Sequence, residues 1–318
     1  MRLAGHGSVR RHRAVGIAVV AALLGGATAC GAEPGAETGT KPKTSAEAGA
    51  KPTTPAEAVA RAAERTTDIA SLRYRVTGTL PEHGKIRAEA AMTARPTAMR
   101  MDLTGWGPSE DKPISVRFAD GVIYAEGDAA AIGAPADKKW FSAGPAVWGR
   151  GAADNNTYRV LPAPLEASPL AQSTLLTGAK KVSEVGAGTV EGGGTTHYRG
   201  TVTWKSLRAA QTAARDKATR ELRTSSLDQF MMLGIEKTLT VDLWVGEDGR
   251  AERYRLRGET HALKEGRMVD GGPLDLTVTL LDVGRPVTVE TPPAGLRPGG
   301  LRSGAVSLTV LRARQKKT

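Results

Sequence analysis

Alternating apolar and polar residues mark most of the chain after residue 70. Every second side chain is apolar in the segments 72–76, 86–92, 99–103, 239–245 and 274–280. A period of two places these side chains on one face of a β-strand, while the other face meets water. Short glycine-containing turns separate several of these segments, so the pattern predicts neighbouring strands that run antiparallel.

Helical spacing replaces this alternation in four places. A capping box at residues 54–57 predicts a helix over residues 55–69. Further helices are predicted over residues 206–223 and 226–233, and another begins at Ser168. Strands and helices in this order indicate an α+β fold in which the helices pack on a sheet.

Residues 1–29 have the parts of an export signal. Residues 1–13 hold four arginines and no acidic residue, and an uncharged run follows over residues 14–24. That run has the length of a signal-peptide core, whereas a membrane-spanning helix needs about 20 apolar residues. Small residues then lead to Cys30, the only cysteine of the chain. We therefore predict that residues 1–29 are a signal peptide.

The segment Ala27-Thr28-Ala29-Cys30 resembles a bacterial lipobox, although such motifs usually carry leucine at the first position. The resemblance implies cleavage before Cys30 and attachment of diacylglycerol, with palmitate-type chains, to its thiol. Two acyl chains anchor a protein stably to a membrane. The alternative is a free thiol inside a signal peptide that is cut elsewhere. Lipidation would also account for a lone cysteine in an exported protein.

The rest of the chain divides by composition. Residues 30–53 contain almost no large apolar side chain, so we expect the lipidated cysteine and a flexible tether there. Residues 54–295 are expected to fold; their length allows one large domain or two smaller ones, and the single domain is what the family resemblance described below implies. Residues 296–318 are rich in glycine and arginine and are expected to form a basic C-terminal extension.

Charge and aromatic content bear on the partners. The formal charge of the 318-residue chain is +11, and removal of the four arginines in residues 1–29 leaves +7. Such a surplus attracts nucleic acid or an anionic membrane. Export argues against nucleic acid, and an aromatic content of 4% argues against a platform for base stacking. We expect contact with the membrane and no nucleic-acid partner.

The sequence carries no recognisable catalytic motif. His83, His197 and His261 are far apart and have no carboxylate or cysteine partners at metal-ligand spacing. There is no G-x-S-x-G elbow, P-loop or dinucleotide fingerprint. A match to S-x-x-K begins at Ser109, but it lies in a polar loop rather than at a helix start. We expect no enzyme activity, no catalytic residue, no metal and no cofactor.

Four segments carry a family resemblance, at residues 116–124, 197–202, 241–250 and 280–289. With the lipobox-like N-terminus, they resemble the LppX/LprAFG family of mycobacterial-type lipoproteins, which share the LolA/LolB-like fold. The resemblance implies an α+β fold: a strongly curved antiparallel β half-barrel with helices packed across its open, concave side. It also implies an apolar cavity for acyl chains between the sheet and the helices.

We expect apolar residues of the alternating strands to line that cavity. They are Tyr74, Val76, Met99, Met101, Leu103, Val116, Phe118, Tyr124, Tyr198, Val202, Val241, Leu243, Leu256, Val278 and Leu280. The same alternation is required of any sheet packed on helices, so it does not by itself indicate a cavity.

The resemblance implies a protein that binds the acyl chains of a lipid or lipoglycan and carries it within the cell envelope. It would be a monomer, anchored through diacylglyceryl-Cys30 on the extracytoplasmic face of the cell membrane. The alternative is a non-catalytic interaction or sensor module that binds an envelope protein. A carrier would contain bound lipid, whereas an interaction module would have a filled interior.

Overall fold

The computed structural model describes residue 52 and residues 54–105, 113–127, 140–143, 146–147, 156–157, 161–264 and 267–292. The predicted signal peptide, Cys30, almost all of the predicted tether, and the C-terminal extension lie outside the described residues. Apart from residue 52, the described residues all lie in the predicted domain, residues 54–295, and end at residue 292.

The described elements run in the order of a helix, a run of strands, short helices, a pair of strands, two helices and a final run of strands. The helices are α1 Pro55–Thr66, α2 Ala163–Glu166, α3 Pro169–Ser173, α4 Trp204–Ala213 and α5 Lys217–Met232, with a 3₁₀ segment at Leu175–Gly178. The strands are β1 Ser71–Leu80, β2 Gly84–Ala94, β3 Thr97–Thr104, β4 Ile114–Ala119, β5 Val122–Glu126, β6 Trp140–Ala143, β7 Ala146–Val147, β8 Asn156–Thr157, β9 Val182–Val190, β10 Gly193–Val202, β11 Leu239–Gly246, β12 Ala251–Lys264 and β13 Arg267–Leu281.

Eleven of these strands form one sheet in the order β6-β5-β4-β3-β2-β1-β13-β12-β11-β10-β9. Every neighbouring pair is antiparallel. Two meanders meet where β1 pairs with β13, so the first and last strands of the sheet sequence lie side by side at its centre. Among the described strands, β6 and β9 pair on one side only, which makes the sheet open.

One face of the sheet is apolar across β2, β1, β13, β12, β11 and β10. The register places Tyr74 between Ala90 and Leu280, and Leu243 between Tyr198 and Tyr254. All six side chains are buried. Because side chains alternate between faces, arginines and acidic residues next to them in sequence lie on the opposite, outer face.

An ion pair joins two distant parts of the sheet. The Arg75 guanidinium in β1 lies 3.1 Å from the carboxylate of Glu191, in the turn between β9 and β10. Four strand spacings separate β1 from β10, which amounts to about 19 Å in a flat sheet. The sheet is therefore not flat, because these two side chains are too short to span that distance. The predicted fold, a curved and open antiparallel sheet with helices on one face, is confirmed.

The helices cover the apolar face unevenly. Helix α1 begins at its capping box, in which Thr54 Oγ1 accepts a hydrogen bond from the Glu57 amide and Glu57 accepts one from the Thr54 amide, both at 3.2 Å. Its buried side packs near β9, β11 and β12, and the 3₁₀ segment packs near β10 and β11. The helices thus lie closest to the β9–β12 half of the sheet.

The sequence-based helix boundaries are wrong in three places. Helix α1 ends at Thr66 rather than residue 69, because the chain turns there to bring Ile69 into the core before β1. The segment predicted as one helix over residues 206–223 covers most of α4 and the first part of α5, since Asp216 caps α5 by accepting a hydrogen bond from the Thr219 amide at 2.8 Å. The separate helix predicted over residues 226–233 is the second part of the same α5. Within the described part of the chain, no helix has both the length and the hydropathy to cross a membrane.

Candidate functional site

A cavity of about 420 Å³ lies on the apolar face, on the side that the helices cover least. Its walls come from strands β2–β5, the end of α1, the segment that leads into α3, and α5. The lining residues are Thr66, Thr67, Ile69, Met92, Ala94, Arg95, Thr97, Met99, Phe118, Ile123, Glu166, Ala167, Ser168, Pro169, Leu170, Ala171, Leu222 and Ser225. This volume falls within the ~300–1,000 Å³ that is usual for small-molecule sites.

The sheet side of the cavity is a band of large apolar side chains. The register pairs Met92 with Met99, Met99 with Phe118, and Phe118 with Ile123 across four consecutive strands. The four residues therefore share one face and stand side by side. Methionine is flexible and polarisable, so two of them in this band allow the wall to adapt to the shape of a ligand.

The helix side of the cavity is shaped by a capped turn. Ser168 Oγ accepts a hydrogen bond from the Ala171 amide at 3.4 Å and so begins α3. Pro169 occupies the first position of the helix, where no amide hydrogen is needed. This turn places Leu170 and Ala171 against the cavity, opposite the methionines of the sheet.

The rim of the cavity is polar. Arg95 lies in the turn between β2 and β3, Thr97 begins β3, and both residues are exposed. The Arg95 guanidinium donates a hydrogen bond of 3.4 Å to the Thr67 carbonyl oxygen. Across the lining, Glu166 Oε1 accepts a hydrogen bond of 2.9 Å from the Leu161 amide. An apolar interior with a charged rim suits a ligand that has an apolar and a polar end.

A buried polar network holds the helices to the sheet beside the cavity. The Tyr254 hydroxyl in β12 donates to Gln172 Oε1 at 2.8 Å, and Gln172 Nε2 donates to the Pro164 carbonyl oxygen at 3.1 Å. The hydroxyls of Thr174 and Ser226 lie 2.8 Å apart. Burial raises the pKa of Tyr254 well above its usual value, so the phenol stays protonated as a donor.

The residues that were expected to line a cavity lie in different parts of the structure. Met99 and Phe118 line it. Tyr74 lies just behind, where its hydroxyl lies 3.1 Å from the Met99 sulfur, and burial raises the pKa of that hydroxyl. Eleven others lie in the hydrophobic core: Val76, Met101, Leu103, Val116, Tyr198, Val202, Val241, Leu243, Leu256, Val278 and Leu280. Tyr124 is opposite Arg117, on the other face of the sheet.

Several lining residues were not among those predicted from the sequence. Met92 and Ile123 occupy the same alternating face as Met99 and Phe118, so the register of the strands could have identified them. Leu170 and Leu222 come from helices, and no pattern in the sequence indicates which strands these helices approach. Among the residues that the structure describes, no group of three or more histidine, cysteine, aspartate or glutamate side chains is arranged to hold a metal ion.

Comparison with solved structures gives matches of low sequence identity. The lipoprotein LppX of Mycobacterium tuberculosis matches at 15% identity and a TM-score of 0.43, over 74% of this chain and 98% of its own. LprF of Mycobacterium bovis matches at 12% identity and a TM-score of 0.42, over 75% of this chain and 96% of its own. The chain is similar in structure to these two mycobacterial proteins.

A DUF1329 family protein from Desulfovibrio piger also matches, at 8% identity and a TM-score of 0.25, over 73% of this chain and 93% of its own. No family model matches the sequence, and no curated protein matches it. LppX and LprF are both named in the LppX/LprAFG family that the sequence resembles.

Proposed function

We propose that this protein binds the acyl portion of a lipid in the cavity between its sheet and helices, and carries that lipid within the cell envelope. The observation that carries the proposal is the apolar cavity of about 420 Å³, lined by Met92, Met99, Phe118, Ile123 and Leu170. No chemical step is required of the protein. Binding would hide the acyl chain from water during transfer.

The driving force for binding is the burial of hydrocarbon. Each buried methylene group contributes about 0.8 kcal/mol. The charged rim keeps the head of the lipid in water, so its desolvation is avoided. An anchor at Cys30, on the extracytoplasmic face of the membrane, would keep the cavity close to a bilayer that can supply or accept the lipid.

Bound lipid is the direct test of this proposal. The mature chain, with Cys30 replaced by serine, is secreted from a bacterial host with a similar envelope and purified without detergent. An organic extract is then examined by mass spectrometry. We expect one defined lipid or lipoglycan per protein. A folded, lipid-free protein that also takes up no added lipid would overturn the proposal and favour a module that binds an envelope protein.

A space-filling variant tests whether the lipid binds in the cavity. Leu170→Trp adds an indole to the helix wall, and we expect it to reduce the amount of bound lipid at least several-fold because the added ring occupies the space of the ligand. Met268→Trp is the matched control, since Met268 is 60% exposed and does not line the cavity. Equal lipid content in both variants would place the lipid elsewhere.

A further inference from the structure

We propose that the ligand of the cavity is a single-chain amphiphile with an anionic head, carboxylate or phosphate, and that Arg95 binds that head. The inference rests on the proposed function, because it assigns the ligand of the same cavity. Two observations carry it: the size of the cavity and the charges at its rim.

The size of the cavity favours one acyl chain. An apolar protein cavity of ~150 Å³ accommodates a benzene molecule, with six carbon atoms. On that scale a volume of about 420 Å³ corresponds to about 17 carbon atoms. This matches one common fatty-acyl chain, whereas a diacyl lipid would leave its second chain in water. Each methylene group that stays in water contributes no burial free energy to binding.

The charge at the rim favours an anionic head. Of the described residues that line the cavity, Arg95 is the one with a positive charge. Its guanidinium has five N–H donors, and the described structure records one hydrogen bond from it, the 3.4 Å bond to the Thr67 carbonyl. A planar guanidinium with free donors binds carboxylate or phosphate oxygens in pairs. Arg95 is therefore available for an anion.

The second charged residue of the lining does not compete for this role. Glu166 already accepts a hydrogen bond from the Leu161 amide at 2.9 Å and so supports the turn before α3. Its carboxylate would repel an anion that came near. An anionic head is accordingly directed toward the β2–β3 turn, where Arg95 and the Thr97 side chain lie.

The change in side-chain exposure at the end of β2 indicates the orientation of the amphiphile in the cavity. Arg95 is exposed, Ala94 is half-buried and Met92 is buried, and all three line the cavity. The polarity therefore changes from a cation in water to an apolar interior within a single strand end. A head group at Arg95 would lead its acyl chain directly toward Met92, Met99 and Phe118.

The test compares four lipids that differ in one feature at a time. The delipidated mature chain is titrated with palmitate, palmitoyl lysophosphatidate, monopalmitoylglycerol and dipalmitoyl phosphatidate, each below its aggregation concentration, and binding is followed by calorimetry. We expect one or both single-chain anions to bind about tenfold more tightly than the neutral monoglyceride, which is the effect of one hydrogen bond to a charged group. The ratio of the affinities for palmitate and lysophosphatidate shows whether the bound head is a carboxylate or a phosphate.

Arg95→Gln should remove this preference by lowering the affinity for the anions about tenfold, and urea unfolding shows whether the variant is folded. Arg100→Gln is the matched control, because Arg100 is exposed on the opposite face of the adjacent strand. Equal affinity for the anions and monopalmitoylglycerol, or no effect of Arg95→Gln, would overturn the anionic head but not the proposed function. Equal affinity for dipalmitoyl phosphatidate and lysophosphatidate would contradict the inference that the ligand has a single acyl chain. No binding of any lipid would overturn both proposals.

Discussion

At the scale of single residues, Asp242 on the outer face of β11 is bonded to three basic side chains. Its side chain is 1% exposed. One carboxylate oxygen lies 2.6 Å from both His197 Nε2 and Arg199 Nε, and the other lies 2.8 Å from an Arg257 nitrogen. The His197 ring stacks on Trp244 with 4.2 Å between ring centroids, which fixes the imidazole beside the carboxylate.

These contacts change how Asp242 titrates. Burial by itself would raise its pKa, but the hydrogen bonds from Arg199, Arg257 and His197 outweigh burial and hold the pKa below its usual value. An aspartate in the unfolded chain has a pKa of about 3.9. The stabilisation is therefore present in full above about pH 4 and is lost as the pH falls through the lower pKa of the folded state.

We expect Asp242→Asn to lower the free energy of unfolding at pH 7 by about 3 kcal/mol, because it removes a buried charge from its cationic partners. The loss should shrink as the pH falls below about 4, because the carboxylate of the unfolded chain is protonated first and the native carboxylate follows only at its lower pKa. Urea denaturation at pH 7 and pH 3 measures both values.

Asp275→Asn is the matched control for Asp242→Asn. Asp275 accepts two hydrogen bonds from Arg255, at 2.7 and 2.6 Å, but 39% of its side chain is exposed. An ion pair in contact with water contributes less than about 1 kcal/mol. Equal losses for the two variants would contradict the dominant role assigned to burial at Asp242.

At the scale of secondary-structure elements, the pairing of β1 with β13 depends on a close backbone approach at Gly78. Its φ is +145°, and a Cβ built on it would lie 2.0 Å from the Asp275 carbonyl oxygen of β13. That distance is far below contact distance, so any larger residue would separate the strands at the centre of the sheet. Glycine is required here by both conformation and space.

We expect Gly78→Ala to destabilise the protein by about 3 kcal/mol, the upper range for a residue held in a disfavoured backbone conformation. Gly186→Ala separates the two causes, because Gly186 has the same φ of +145° but no atom within 4 Å of its built Cβ. The control should lose about 1 kcal/mol from conformation alone. Thermal and urea unfolding of both variants measure the difference, and equal losses would refute the steric argument.

The sequence predicts strands better than helix boundaries, for a physical reason. The alternating segments near residues 72–76 and 274–280 fall inside β1 and β13, because a sheet with one buried face requires a strict period of two. The break between α4 and α5 was missed because the apolar stripe continues through it. The capping residue Asp216 was a visible signal, but a cap defines a helix start only when the preceding chain turns away.

At the scale of the whole molecule, the expected anchor at Cys30 would determine where the cavity works. We expect Cys30→Ser to move the protein from the membrane fraction to the medium or periplasmic fraction, since two acyl chains are required for stable attachment. Immunoblots of fractionated cells and labelling with radioactive palmitate provide the measurement. Ser45→Ala, a change in the predicted tether, should leave the protein membrane-bound and labelled. A membrane-bound, labelled Cys30→Ser variant would contradict the anchor.

The sequence by itself determines which face of each strand is apolar and where α1 begins, because both follow from spacing between near neighbours. It does not determine which apolar residues line a cavity. Met99 and Leu256 have the same alternating pattern, yet Met99 lines the cavity and Leu256 is fully buried in the core. The difference arises because the helices lie closest to β9–β12 and leave space over β2–β5. Whether an apolar side chain meets a helix or a cavity depends on what packs opposite it, and only the tertiary structure decides that.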